Sequence, residues 1–147
     1  MKAAFLLGRI IYGGFFVYSG IHHFQERKSL AQYASGKNVR LPELAVTATG
    51  ALLIAGGTSI LLGVKPKWGT LAVMTFLAGA TPVIHDFWRA DDPNQKQNDA
   101  VNFMKNTALL GGALALMGVE EPWPVSVPIG QPSKMERVRR FAREIAA

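Results

Sequence analysis

The chain has 147 residues, the length of one domain, so a second independent core is not expected. Hydrophobic residues make up 49% of it against 18% charged, it carries no cysteine, and its formal net charge is +6. The lack of cysteine excludes disulfides, thiolate metal sites and dithiol redox chemistry on this chain, and the positive balance points to anionic lipid headgroups before nucleic acid.

The first apolar run, Ala3 to Phe24, is broken only by Arg9. Lys2 ahead of it resembles the start of a secretory signal, but the length of the run, the central Arg9 and the lack of a small-residue cleavage site before His22 argue for an uncleaved span. Arg9, Tyr12, Phe16, Ser19 and His23 recur at helical spacing and form one seam, with His22 pointing away toward the headgroups. Arg9 is expected to snorkel to its own membrane face or to pair with Glu120 or Glu121.

The second run, Leu44 to Val64, has no charge at all, and about 20 apolar residues cross the hydrocarbon layer as a helix. The turn VKPKW, residues 64 to 68, leads into a third uncharged run, Trp68 to Ile84. Pro82 is expected to kink this span one turn before His85 and free a carbonyl there. A fourth run, Asn106 to Val119, extends back to Ala100 if Lys105 is admitted. Soluble helices would show polar residues every third or fourth position along one face, and these runs do not; the mean hydropathy of +0.16 is held down by the loops and tail. Small residues at Gly50, Gly56, Gly57, Gly79, Ala80, Ala108, Gly111 and Gly112 read as close helix packing in lipid. Trp68, Trp88 and Trp123 sit at span ends, as aromatic-belt residues do.

After Val119 comes EEPWPVSVPIGQP, whose prolines and apolar residues suggest an extended strap lying on the bilayer or on a partner. SKMERVRRFAREIAA then begins with a capping box, Ser133 to Glu136, and places Met135, Val138, Phe141, Ala142 and Ile145 on one face, as an interfacial amphipathic helix or a docking helix would. The expected fold is therefore all-α: a four-transmembrane-helix bundle over 1–119, followed over 120–147 by a strap and a short basic amphipathic helix. The excess of Lys and Arg on the side of the termini points to cytoplasmic ends.

With four spans, His22, His23, His85, Asp86 and residues 98 to 106 lie at one membrane face. Asn98, Asn102, Lys105 and Asn106 share an arc about 100° wide on the fourth span, and that arc is expected to face the bundle because Lys105 would be costly toward lipid. Asp86 is the natural counter-ion for Lys105, either as a structural ion pair or as part of a site. Three His and one Asp without tight ligand spacing do not make a metal centre, and neither metal nor haem is expected. The functional reading is a pocket for a polar-headed lipophilic molecule such as a quinone. His85, Asp86 and Lys105 would carry its chemistry, and His23, Trp88, Asn98, Asn102 and Asn106 would bind it, because quinone reduction needs donors on two carbonyls and a route for protons. No electron-carrier motif is present in the sequence, so electrons would come through a partner chain or by direct contact between two substrates.

GRIIYGGFFVYSGIHHF near the start, HDFW after the third span and NFMKNTALLGGALAL in the fourth resemble the DoxX family of small four-helix membrane proteins. The resemblance covers most of residues 5 to 119 and implies an integral bundle in a bacterial inner membrane. It also implies association with a redox assembly, in some members as the membrane subunit of a thiosulfate:quinone oxidoreductase. By position it carries His85, Asp86, Asn98, Lys105 and Asn106. Asn102 stands where the family often has His, and His22-His23 replaces a more usual charged pair, which favours a second reading: a non-catalytic accessory subunit packed against another membrane protein subunit.

Overall fold

The structure, a computed structural model, describes residues 2–127 and, in the tail, 135, 139 and 141–143. Five helices follow in order: α1 (Lys2–Gln25), α2 (Arg27–Gly36), α3 (Pro42–Leu62), α4 (Pro66–Ile84) and α5 (Pro93–Met117), with a single 3₁₀ turn, Phe87–Arg89, between the last two. Three segments, Lys2–Gln25, Pro42–Leu62 and Pro66–Arg89, are long and apolar enough to cross a membrane. Each of the four apolar runs lies largely within one helix, α1, α3, α4 and α5 in turn. The first long loop is a helix in its own right, α2, whose buried Ala31 and Ala34 turn it against α3 and α1.

Local chemistry sets the helix ends. Proline stands in the first turn of α3, α4 and α5, where its fixed φ suits the helix and its missing N–H costs nothing. Asp92 caps α5 by accepting the Gln95 N–H at 2.8 Å. At the turn between α3 and α4, Gly63 takes the left-handed conformation with φ +68, and Ser59 Oγ donates to Val64 O at 2.7 Å. α4 runs on through Pro82 to Ile84.

Between helices in lipid there is no hydrophobic drive, so association depends on how closely backbones approach. A Cβ on Gly13 would stand 2.8 Å from Gly57 O, one on Gly20 2.6 Å from Gly50 O, and one on Gly56 2.9 Å from Gly69 O. These facing pairs lock α1 antiparallel to α3 and α3 antiparallel to α4, around a core of Phe16, Leu53, Ile60, Val73 and Leu77. Gly112 meets the Tyr12 ring, and Tyr12 Oη donates to Leu109 O at 2.6 Å, which joins α5 to α1. Gly79 and Gly111 differ from expectation: a Cβ on either meets nothing within 4 Å, because both face outward. Leu7, Ile11, Phe15 and Tyr18 are exposed along α1, a surface suited to acyl chains.

Two expectations at the end of the bundle holding the N-terminus of α1 are corrected. Arg9 is only 2% exposed and reaches neither headgroups nor Glu120 or Glu121. Its Nη1 donates to Pro124 O at 2.9 Å and its Nη2 to Val125 O at 2.8 Å, because carbonyls of the non-helical segment after α5 lie closer than either carboxylate. Trp123 is not a belt residue: it is 2% exposed and packs edge-on against Phe5 at 5.4 Å, whereas Trp68 and Trp88 are exposed. Residues 120–127 thus lie on the bundle itself, with the Val127 N–H donating to Leu62 O. In the tail, Met135, Arg139 and 141–143 are helical and exposed, and the Ser133–Glu136 capping box lies outside the described residues.

Gly57→Ala should destabilise by about 1–3 kcal/mol, since the added carbon meets backbone atoms that have no room to shift. Gly111→Ala should be neutral or stabilising by up to about 1 kcal/mol through helix propensity. Thermal unfolding of the two variants in detergent checks the contrast.

Candidate functional site

At the other end of the bundle, α2 stops at Gly36 and delivers Lys37 over the ends of α4 and α5. Lys37 Nζ donates to Asp86 Oδ1 and, at 3.0 Å, to Asp99 Oδ2. Asp99 is fully buried, and its Oδ1 also accepts from Tyr33 Oη at 3.1 Å and lies 3.4 Å from His85 Nδ1. Lys37 also stands 5.7 Å from the Tyr33 ring centroid. One ammonium therefore serves two carboxylates, and one carboxylate gathers three side chains from two chain segments, α2 with its cap residue and the end of α4.

Electrostatics follow from that sharing. Burial by itself pulls the Lys37 ammonium down, but hydrogen bonds to Asp86 and Asp99 outweigh it and hold the group above the ordinary lysine range. The Tyr33 phenol is raised, first by burial and then by the Asp99 charge. Because ionised Asp99 only accepts, His85 Nδ1 carries the proton in their contact and Nε2 is left for other chemistry. Beside the network, Ser29, Gln32, Tyr33, Gly36, Lys37 and Gln95 line an open cleft of about 520 Å³.

The expected site residues divide. His85 and Asp86 are in the network, but the expected Asp86–Lys105 pair is not formed: Asp86 binds Lys37, and Lys105 Nζ donates to Asn102 Oδ1 at 2.8 Å. The arc on α5 does not face the bundle as a unit. Asn98 and Lys105 are exposed, Asn102 Nδ2 turns back to Asn98 O at 3.0 Å, and Asn106 alone reaches inward, to Thr81 Oγ1 at 3.2 Å. The helix is rotated so that Asp99, Asn106 and Ala113, seven residues apart, point at α4, which leaves Lys105 on the rim. His23 is tied to its own helix, with Nδ1 2.7 Å from Ser19 O, and its ring meets Phe76 edge-on. His22 is exposed and stacks on Tyr18. Trp88, Phe87 and Phe103 pack edge to face on one another, at centroid distances of 5.1 to 5.8 Å.

Sequence reasoning missed Asp99, Lys37 and Tyr33. Asp99 carried a signal, since it falls seven residues before Asn106 and so shares its face. Lys37 and Tyr33 carried none, because they join the site only through the way α2 folds back.

The DoxX family model matches residues 4–86, more than half of the chain. The chain belongs to the DoxX family. The match takes in α1 to α4 and ends at Asp86, so the DoxX likeness includes His85 and Asp86, while the run around Asn102–Asn106 lies beyond it. No curated protein and no solved structure matches the chain.

In this DoxX protein Lys37→Met leaves two carboxylates without their cation and should cost about 3 kcal/mol, as should Asp99→Asn, with strong coupling between them. Lys105→Met should stay within about 0.5 kcal/mol and add independently to Asp86→Asn. A double-mutant cycle by chemical denaturation reads both. Because the Lys37 value is raised, its stabilising contribution should be complete below the ordinary lysine pKa and be lost as pH rises through the raised value. That loss should vanish in Lys37→Met.

Proposed function

We propose that this DoxX protein is a four-span subunit of a quinone-linked redox assembly in a bacterial inner membrane, with cytoplasmic termini and a proton-handling site at the α2 end. α5 is taken as the fourth span, and residues 120–127 as the strap that returns over the terminal end. The observation that carries the reading is the His85–Asp99 couple, joined through Tyr33 and Lys37 to an open cleft, with the amides of Asn98 and Asn102 and the exposed ammonium of Lys105 on α5. A buried carboxylate that fixes one ring nitrogen leaves the other to give or take a proton, and a half-buried imidazole suits that task.

The rim fits a polar-headed ring. Lys105 spends one N–H on Asn102 and keeps two for a carbonyl oxygen, and Trp88, 52% exposed and packed on Phe103 of the same helix, offers an aromatic surface. A quinone bound there would supply two-electron acceptor chemistry, with the electrons arriving from a partner subunit or a donor substrate. Lys105 and Asn102 hold and orient the head group. Asp99 holds the His85 ring, and His85 Nε2 delivers protons drawn from the cleft.

A specific observation favours the second reading, a non-catalytic accessory subunit. Of the 25 residues of α5, only Asp99 and Ala113 are buried, and the side of the helix turned away from α4 is exposed for a neighbour to cover. Both readings share one topology. Single cysteines at Ser133 and Asn94 should react with impermeant reagent from opposite sides of intact cells, and labelling from one side would end the four-span proposal.

His85→Gln should lower quinone-dependent turnover of the intact assembly by about 100-fold, the scale of one lost acid–base group. His22→Gln should leave turnover unchanged. Equal tolerance of both, with normal assembly, would leave the accessory reading standing.

A further inference from the structure

The end of the bundle opposite the charge network carries a second polar feature, independent of the quinone reading. α4 begins at Pro66, so Lys65, Lys67 and Trp68 crowd its first turn, and the chain leaving α5 brings Glu120 and Glu121 across from them. These five residues line an open cleft of about 590 Å³. The helix end is not what makes this a site. Lys67 N–H already donates to Glu121 Oε1 at 3.3 Å, so that amide is capped from within the chain.

What distinguishes the cleft is that one chain segment gives it two lysines and another gives it two glutamates. Both lysines and both glutamates are exposed, and among the described residues no ammonium–carboxylate pair closes across the space between them. Two cations and two anions around one open cleft complement a ligand that itself carries both signs. Trp68, at 73% exposure, stands on the rim, where an interfacial indole sits between headgroups and acyl chains. Leu71, one turn further into α4, is also exposed and continues an apolar track away from the charges.

We propose that this cleft binds the headgroup of a zwitterionic phospholipid with a primary ammonium. The phosphate lies on Lys65 and Lys67, the ammonium on Glu120 and Glu121, and the acyl chains run past Trp68 and Leu71. An anionic headgroup would satisfy the lysines but leave the carboxylates facing its own charge. A quaternary ammonium has no N–H for those carboxylates to accept. A soluble phosphate ester would make no use of the apolar track.

The test uses the full chain in detergent, exposed to an equimolar mixture of phosphatidylethanolamine, phosphatidylglycerol and phosphatidylcholine, with retained lipid counted by native mass spectrometry. One phosphatidylethanolamine per chain should be retained with about tenfold preference over either competitor, the scale of one charge-assisted contact pair. Glu120→Gln should shift the preference toward phosphatidylglycerol, Lys67→Gln should lower retention of all three phospholipids, and Arg27→Gln, at the opposite end, should change nothing. Glycerophosphoethanolamine without acyl chains should bind about tenfold or more weaker than the lipid, because it forgoes the apolar contacts. Equal retention of the three lipids, an unchanged preference in Glu120→Gln with its melting point intact, or equal binding of the soluble headgroup would each overturn the assignment.

Discussion

The ammonium of Lys37 is the constraint on which the α2 end of this protein depends. Asp86 at the end of α4 and Asp99 near the start of α5 are buried carboxylates, and their mutual repulsion would drive apart the two helix ends that the short 3₁₀ turn joins. One cation between them turns that repulsion into a clamp, and because the cation belongs to the residue after α2, the clamp also fastens α2 over the bundle. Everything chemically interesting at this face, the fixed ring of His85 included, is held by the same few oxygen atoms. Buried charges of this kind add little net stability compared with an apolar substitute, but they tolerate only one arrangement of partners, which specifies how three segments meet.

The other end is closed by a different device. Arg9 lies two turns into a helix with an apolar exterior, and its two terminal guanidinium nitrogens donate to main-chain carbonyls of residues 124 and 125 rather than to a counter-ion. Its Nε is the buried side-chain polar atom without a partner among the described residues. The arginine thereby fixes a segment with no regular structure, and Trp123 follows it into the core. The two ends thus differ in kind: an ion network on one side, and an arginine gripping backbone with an indole plug on the other. Between them the glycine pairs of α1, α3 and α4 bring backbones so close that side chains barely intervene.

α5 lies at the edge of this array. It packs along α4, sets Leu109, Leu110 and Leu116 against the core, and adds Asp99, Asn106 and the Tyr12 hydroxyl as polar contacts, while the rest of its circumference is exposed. An edge helix covered on one side only is the element of this bundle with the most surface open to another molecule.

The sequence by itself determined the helical class, the apolar runs and the α1 seam from Arg9 to His23, because hydrophobic length and 3.6-residue periodicity are local properties that survive any tertiary arrangement. It also placed His85 and Asp86 together at one face, since they are neighbours in the chain. Only the tertiary structure decided which cation Asp86 meets. Lys105 and Lys37 were both available by topology, and the choice rests on the rotation of α5 and the folding of α2, neither of which is written in a pattern of polar and apolar residues. The same holds for Arg9 and Trp123, whose partners come from opposite ends of the chain. Glycine shows the division most plainly. Its abundance announced close packing, but whether a given glycine faces a neighbour, as Gly57 does, or open space, as Gly111 does, depends on a helix rotation that a residue without a side chain cannot signal.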